Sequence, residues 1–592
     1  MAVSWDEKEL RRLDVDEVWR ALGRFGRYQL LQLLVFSFTN VPLAFHVLSV
    51  VFQGASNPHT CRPPPEFLGE DGDAFNGTVT METCRIELYD NVTGAILSET
   101  SSCDGYAYKN PSYISFWDLV CDRAPLAQLS QTLVMAGMFV GASCVAPFAD
   151  RYGRKTVHVG CHVLLLCVAI GMAFMPSYPG YMVLKFLAGM TIMGMCVPVI
   201  THQLEMYPRE LRAAVGQFTS VLWAVSIMCM TPMAYFTRHY SWRTMQIVFA
   251  AFNVFSFLEI FLLDESLRWL VANQRFKDIE RIIRKASRLN GRDPDFVLSA
   301  SLAKADAKHA DGNDAMTGSD VQPVVDKPVA LISVVDGDKD DHKCAETDDL
   351  MNEKEKEADK ALVKRVREER REGLLDLLKD SDMRFITLAN LYIWMTTSMT
   401  YYGITLLSSS LFGSPYINFF LGGFLEIPGT LLMMWGLYRI GRKKTIIIFI
   451  SVAWISLLAA TLVAVLGDGG TAASSAQTAL SLAGRFGIAT VFHAIWIYTP
   501  ELFPTNLRSI GVGLASSGAR VGGMLSPFFK LLSDLALWTP GAVFCGLCLL
   551  ATVLLVLLPE TTHRPLATSI QDVKAWRRQD RKQNDEFVVK VN

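Results

Sequence analysis

Twelve runs of apolar residues divide the chain, near 28–52, 126–149, 156–175, 181–201, 213–236, 245–263, 385–408, 415–437, 445–466, 477–499, 509–532 and 537–558. Each is long enough to cross about 30 Å of hydrocarbon as a helix. Short polar turns separate most of them, and polar tracts separate the rest. Buried helices of a soluble enzyme rarely reach this length twelve times over. The pattern therefore predicts an all-α membrane protein of twelve transmembrane helices.

Positive charge orients the spans. Arg20, Arg24 and Arg27 precede the first span, and Arg151, Arg154 and Lys155 follow the second. Arg209 and Arg212 follow the fourth, Arg268 and Arg275 the sixth, Arg439, Arg442, Lys443 and Lys444 the eighth, and Arg508 the tenth. All fall on one side, which the positive-inside rule assigns to the cytosol. Both termini are then expected in the cytosol. Arg238 and Arg243 lie on the other side, a minor dissent. Residues 1–27 form a polar, charged N-terminal segment without the apolar core of a cleaved leader, so the first apolar run is expected to stay in the bilayer. A plasma-membrane location is expected.

Two long polar tracts interrupt the pattern. Residues 53–125 face outward on this orientation. They carry the glycosylation acceptors Asn76 and Asn91, each followed two residues later by threonine. They also hold Cys61, Cys84, Cys103 and Cys121, an even set in an oxidising space, with three pairings open. Residues 264–384 face inward between the sixth and seventh spans. Phe276 to Leu289 reads as an amphipathic helix through Ile279, Ile282 and Ile283. Residues 300–350 cannot bury enough apolar surface to order, and Glu353 to Arg371 reads as a solvated helix. The halves are thus 28–263 and 385–558, with a tail at 559–592.

These halves repeat. Arg151-Tyr152-Gly153-Arg154-Lys155 recurs as Arg439-Ile440-Gly441-Arg442-Lys443. Glu205, Pro208, Leu211 and Arg212 recur as Glu501, Pro504, Leu507 and Arg508, and Glu265-Ser266 as Glu560-Thr561. Each pair follows the equivalent span of its half at a nearly constant offset. Six spans per half give both halves one orientation, the parallel repeat of a transporter that rocks about a midplane site. Asp150, Arg151, Arg154, Glu205, Arg212, Arg439, Arg442, Glu501 and Arg508 are accordingly expected to form a cytosolic gate whose ion pairs break on opening.

Composition narrows the chemistry. The chain is 51% hydrophobic and 19% charged, with a net charge of −2 that argues against nucleic acid as a partner. No phosphate-binding loop, nucleophile elbow or metal-ligand spacing stands in the sequence, so neither an enzyme nor an ATP-driven pump is expected, and no cofactor. A coupling ion, sodium or proton, stays open. Function as a monomer is expected, with lipid and a small organic ion as partners.

Ionisable groups inside spans mark sites by default. Glu426 lies roughly 16 Å into the eighth span and Arg520 roughly 18 Å into the eleventh, at similar depth. Small residues surround Arg520 (Ser516, Ser517, Gly518, Gly522, Gly523). A guanidinium grips a carboxylate through two parallel hydrogen bonds. Glu426 either pairs with Arg520 across the two helices or faces a quaternary ammonium. Trp394, Tyr401 and Tyr402 of the seventh span can wall such a cation, Trp394 and Tyr401 being seven residues apart on one face. His493 and His46 are candidates for proton relay, Lys185 and Arg485 are expected to snorkel outward, and Gln203 to line the inner vestibule.

The motifs resemble those of the major facilitator superfamily, and within it the organic cation, anion and carnitine transporters. The superfamily part is Gly141 with Asp150-Arg151-Tyr152-Gly153-Arg154-Lys155, and Lys185-Phe186-Leu187-Ala188-Gly189. More specific are Gly23-Arg24-Phe25-Gly26-Arg27-Tyr28-Gln29, Cys61-Arg62-Pro63, Cys103-Asp104-Gly105-Tyr106, Asp118-Leu119-Val120-Cys121-Asp122, Glu265-Ser266-Leu267-Arg268-Trp269-Leu270 and Glu426-Ile427-Pro428-Gly429. Ala146, Leu267 and Tyr438 depart from the pattern. The resemblance implies two six-helix halves and transport of small organic ions by alternating access. Cation-selective members carry an aspartate where this chain has Arg520, which implies a zwitterion or cation of carnitine or betaine type held through its carboxylate, with an organic anion exchanger or a sugar uniporter as alternatives. Ile192 and Met193 stand where carnitine-type relatives have polar groups.

Overall fold

In the computed structural model, the described residues exclude 1–4, 6, 12, 55–58, 63–76, 82–83, 85, 91–95, 101–102, 104, 110, 209, 304–373, 468, 537, 563, 565–566, 568 and 577–592. Asn76, Asn91 and the proposed helix at Glu353–Arg371 lie outside the described residues.

In hydrocarbon every backbone N–H and C=O must find its partner within the segment, so the apolar runs become helices. The first half contributes Arg27–Gln53, Ala124–Tyr152, Arg154–Phe174, Tyr178–Met206, Arg212–Thr237 and Trp242–Leu262. The second contributes Ser381–Leu407, Pro415–Arg439, Arg442–Leu466, Thr471–Leu502, Arg508–Leu525 and Thr539–Leu557. The eleventh continues through a 3₁₀ turn, Ser526–Phe528, into Phe529–Leu535. The fold is thus two parallel six-helix halves. Ten of the twelve helices have the length and apolarity of a lipid-facing span. The seventh and eleventh fall short. The seventh buries Thr387, Asn390, Thr396, Thr397, Ser398, Thr400 and Thr405, and the eleventh is rich in glycine and serine. These two helices pack along each other in the interior, where protein replaces lipid. A methyl group on Gly522 would sit 2.1 Å from the Met395 carbonyl oxygen, so glycine permits their close approach.

Two pairs of helices make the most extensive contacts between the halves, the second against the eleventh and the fifth against the eighth. These pairs exchange under the internal repeat. The joining contacts gather towards the face that bears the cysteine loop. Thr132 donates to the Met524 carbonyl at 3.0 Å, Lys530 to the Gly54 carbonyl at 3.2 Å, and Phe52 stacks on Tyr416 with centroids 5.4 Å apart.

That loop folds on itself. β1 (His59–Arg62) pairs antiparallel with β5 (Gly105–Tyr108), and β2 (Gly77–Met81), β3 (Ile86–Asp90) and β4 (Ile96–Thr100) form a second sheet. Of the three open pairings, the structure makes Cys61–Cys103 and Cys84–Cys121. On the opposite, basic face, Phe276–Asn290 forms the amphipathic helix read from the sequence. It seats Ile279, Ile282 and Ile283 against Trp19, Leu22 and Leu270. Asn290 ties it to the start of the first span by accepting from the Tyr28 N–H at 2.9 Å.

Candidate functional site

The repeated motifs build one device twice. Gly153 and Gly441 hold φ of 101° and 112°, a region glycine enters freely. Each turns the chain so that the next two backbone N–H groups point at an acid from the end of its half. Glu265 accepts from Arg154 and Lys155 at 2.9 and 3.1 Å, and Glu560 from Arg442 and Lys443 at 3.2 and 3.3 Å. Arg154 reaches Glu205 at 3.2 Å, and Arg442 reaches Glu501 at 3.3 Å. Ser266 donates to Glu205, and Thr561 to Glu501. Lys155 and Lys443 cap the carbonyls of Ile260 and Val556.

In this state each of these ion pairs stays within one half. Arg154 also meets the exposed Asp150 at 3.2 Å. Arg212 and Arg268 share Asp16, and Arg508 meets the Thr505 hydroxyl. Arg151 and Arg439 are exposed. In this state the motif ties four helix ends together in each half.

The two acids differ. Burial raises the pKa of Glu265 more than its backbone hydrogen bonds lower it, so it lies above the usual carboxylate range. Burial acts the same way on Glu560. There the Thr562 hydroxyl and the N–H groups of Lys443, Thr562 and Thr561 outweigh it, and the pKa lies below the usual range.

Between the halves lies a cavity of about 200 Å³. Leu43, Val47, Met135, Met138, Cys196 and Trp223 line it from the first half. Ser398, Tyr402, Phe492, His493, Trp496, Ala519 and Arg520 line it from the second. Among the described residues that line it, Arg520 alone carries a fixed charge. Its Nη1 donates to the Ser516 carbonyl at 2.7 Å and also contacts the Ser516 hydroxyl, while Nη2 lies 3.6 Å from the Met193 sulfur. Its Nε has no partner, and among the described residues no carboxylate pairs with it.

Glu426 does not face this cavity or Arg520. It is buried and pairs with Arg485 of the tenth span at 3.2 Å. Tyr401 donates to the same carboxylate oxygen at 3.0 Å, and Trp223 donates to the Tyr401 oxygen at 3.1 Å. This chain of bonds crosses from the fifth span to the seventh, and so from one half to the other. Arg485 is fully buried rather than snorkelling, because Gly422 leaves room for it: a methyl group there would lie 2.2 Å from Nη1. Lys185 is buried too, 3.2 Å from the Ser49 hydroxyl and over the Tyr181 ring.

Of the five binding candidates, Arg520 and Tyr402 reach the cavity together. Tyr401 stands behind it on Glu426. Trp394 is fully buried, donates to Thr499 at 2.7 Å and packs edge-on against Trp496, which takes the place on the wall. Sequence reasoning passed over Trp223, Phe492 and Trp496 as wall residues. Phe492 and Trp496, with His493, share the tenth span at near-helical spacing, a signal that was present. His46 is held by Asn253 at 2.8 Å, deep in the first half, and Gln203 accepts from Thr219.

The Major Facilitator Superfamily profile matches residues 123–527. Over 581 residues the chain is 26% identical to organic anion transporter 3 of Mus musculus, covering 96% of both chains. It is 28% identical to the organic cation transporter protein of Drosophila melanogaster, covering 94% of both. The inward open structure of the xylose transporter XylE from E. coli superposes with a TM-score of 0.54 at 12% identity, covering 93% of this chain and 98% of that one.

Proposed function

This chain belongs to the Major Facilitator Superfamily, and on that premise we propose that it carries small organic anions bearing a carboxylate by alternating access, with Arg520 gripping the carboxylate. One observation carries this reading. The cavity between the halves holds a guanidinium with no acid beside it among the described residues, since Glu426 is spent on Arg485. A cation in hydrocarbon that lacks a counter-ion is costly, and an anionic ligand supplies one. The aromatic lining from Trp223, Tyr402, Phe492 and Trp496 suits an apolar or aromatic body on the substrate. The names of the relatives, organic anion and organic cation transporters, fit a carrier of organic ions.

A second reading is a zwitterion of carnitine or betaine type. The same four aromatic rings favour it, since they can hold a quaternary ammonium through cation–π attraction while Arg520 takes the carboxylate. Without an acid on the wall, a simple cation has no electrostatic reason to bind.

The basic face is proposed to be cytosolic in a plasma-membrane protein. Trp496, on the cavity wall near that face, is 41% exposed, and the contacts joining the halves lie on the other side. On this proposal the cavity opens towards the cytosol. The stapled half-units then move as bodies.

The test is an uptake panel in cells with p-aminohippurate, carnitine and tetraethylammonium, with and without sodium. Anion uptake that Arg520→Ala lowers by about one to two orders of magnitude at unchanged surface expression supports the proposal. Tetraethylammonium uptake indifferent to Arg520→Ala, with no anion or zwitterion transport, refutes it.

A further inference from the structure

The first half holds a cluster that the transport reading does not use. His158 and His162 lie one turn apart on the third span, and Glu259 faces them from the sixth. All three side chains are fully buried. His158 Nε2, His162 Nδ1 and a Glu259 oxygen lie within 4.8 Å of one another. From Glu259 Oε2 the distances are 3.2 Å to His158 Nε2 and 2.8 Å to His162 Nδ1.

We propose that His158, His162 and Glu259 form a binding site for a divalent transition-metal ion, best suited to Zn²⁺, inside the first half. Two histidines at i and i+4 on one helix with a carboxylate from a neighbour are a common zinc donor set, which corrects the expectation of no metal-ligand spacing: the third donor, Glu259, comes from another span and is invisible to a count along the chain. Ligands about 2.0–2.1 Å from a tetrahedral ion stand about 3.3 Å apart, close to the separations around Glu259 Oε2. The outer contacts match as well. His158 Nδ1 lies 3.2 Å from the Met195 carbonyl, an acceptor only, so Nδ1 carries a proton. That is the orienting bond a metal-bound imidazole makes, and it turns Nε2 towards the carboxylate.

The polar atoms left over are the independent sign of a missing ligand. His158 Nε2 lies 3.2 Å from the carboxylate yet makes no hydrogen bond, and Glu259 Oε1 is buried without a partner. His202, also buried, has neither ring nitrogen bonded, and Phe36 touches its ring and that of His158 at 4.6 and 5.7 Å. Unmet polar groups at this depth are costly. His158 is four residues from the basic-face turn at Arg154, which gives a short route for an ion. Metal here would clamp the third span to the sixth, the joint beside the Glu265 staple.

The experiment uses the full chain purified through a histidine-free tag, with metal content and melting temperature as readouts. The expected result is about one zinc per chain, and a melting temperature several degrees higher with Zn²⁺ than after chelation. Glu259→Gln and His162→Asn should each lose the bound zinc and the zinc-dependent shift. Replacing zinc with Co²⁺ in the unaltered protein should give the visible bands of a tetrahedral nitrogen–oxygen site, a readout that needs no variant. Arg520→Ala should keep the metal while losing uptake, which separates this site from the transport site. A metal-free protein whose melting ignores Zn²⁺ and Co²⁺ overturns the proposal. Such a protein holds only two histidines against a carboxylate. Zinc retained at full stoichiometry in both variants overturns it equally.

Discussion

Arg485 and Arg520 both carry a guanidinium through the second half at membrane depth, yet their surroundings make them different objects. Arg485 meets Glu426, lies over Phe419 and has no exposed surface. Arg520 meets a backbone carbonyl, a hydroxyl and a sulfur, on the wall of a cavity. A charge whose counter-ion is built in holds helices together. A charge whose counter-ion is missing is available to a ligand. Residue type does not separate these roles; the neighbour does.

The largest test of that contrast is Arg485→Ala. It leaves the Glu426 carboxylate buried with only Tyr401, a loss of about 3–5 kcal/mol, so the protein should fail to reach the surface. Arg485→Met combined with Glu426→Leu should restore folding, read as melting temperature and surface expression. Next is Arg520→Ala. It removes a charge-assisted grip of about 1.5–3 kcal/mol, so uptake of carboxylate substrates should fall by one to two orders of magnitude while melting stays unchanged. A fall in melting as deep as that of Arg485→Ala would erase the distinction.

Trp223→Phe tests the link between the two regions. It keeps the ring on the cavity wall but removes the bond to Tyr401, the first step towards Glu426. A loss of about 1 kcal/mol in stability is expected, with a change in transport rate larger than the change in substrate affinity.

The smallest effect is the pH response of the twin staples, which sharpens the comparison between halves. The folded protein holds the Glu560 pKa below its unfolded value. Its contribution is therefore full above the unfolded value and is lost as pH falls through the folded one. Glu265 is held above its unfolded value, so stability gains as pH falls through that raised pKa and declines as pH rises through it. Melting curves between about pH 3 and pH 6 should show Glu560→Gln weakening the loss in acid, and Glu265→Gln removing the gain.

Much of this was legible in the chain. Span count, the parallel repeat and the amphipathic helix at Phe276–Asn290 follow from hydrophobic period and charge. The twin glycines were legible as a repeated motif, though their acids, Glu265 and Glu560, were not assigned to them. The seventh and eleventh spans were read as apolar runs, but both are polar inside, because they face each other and the cavity rather than lipid. Glu426 and Arg520 share a depth in the sequence, yet Glu426 turns to Arg485.

The sequence by itself determined how many times the chain crosses the membrane, which loops share a face and which charges lie at midplane depth. Those are sums along one dimension, of hydropathy and rise per residue, and need no knowledge of neighbours. Only the tertiary structure decided which arginine is neutralised, which aromatic rings form the wall and which cysteines join. Those depend on how far each helix is rotated about its own axis, a quantity fixed by packing against its partners and invisible to any count along the chain.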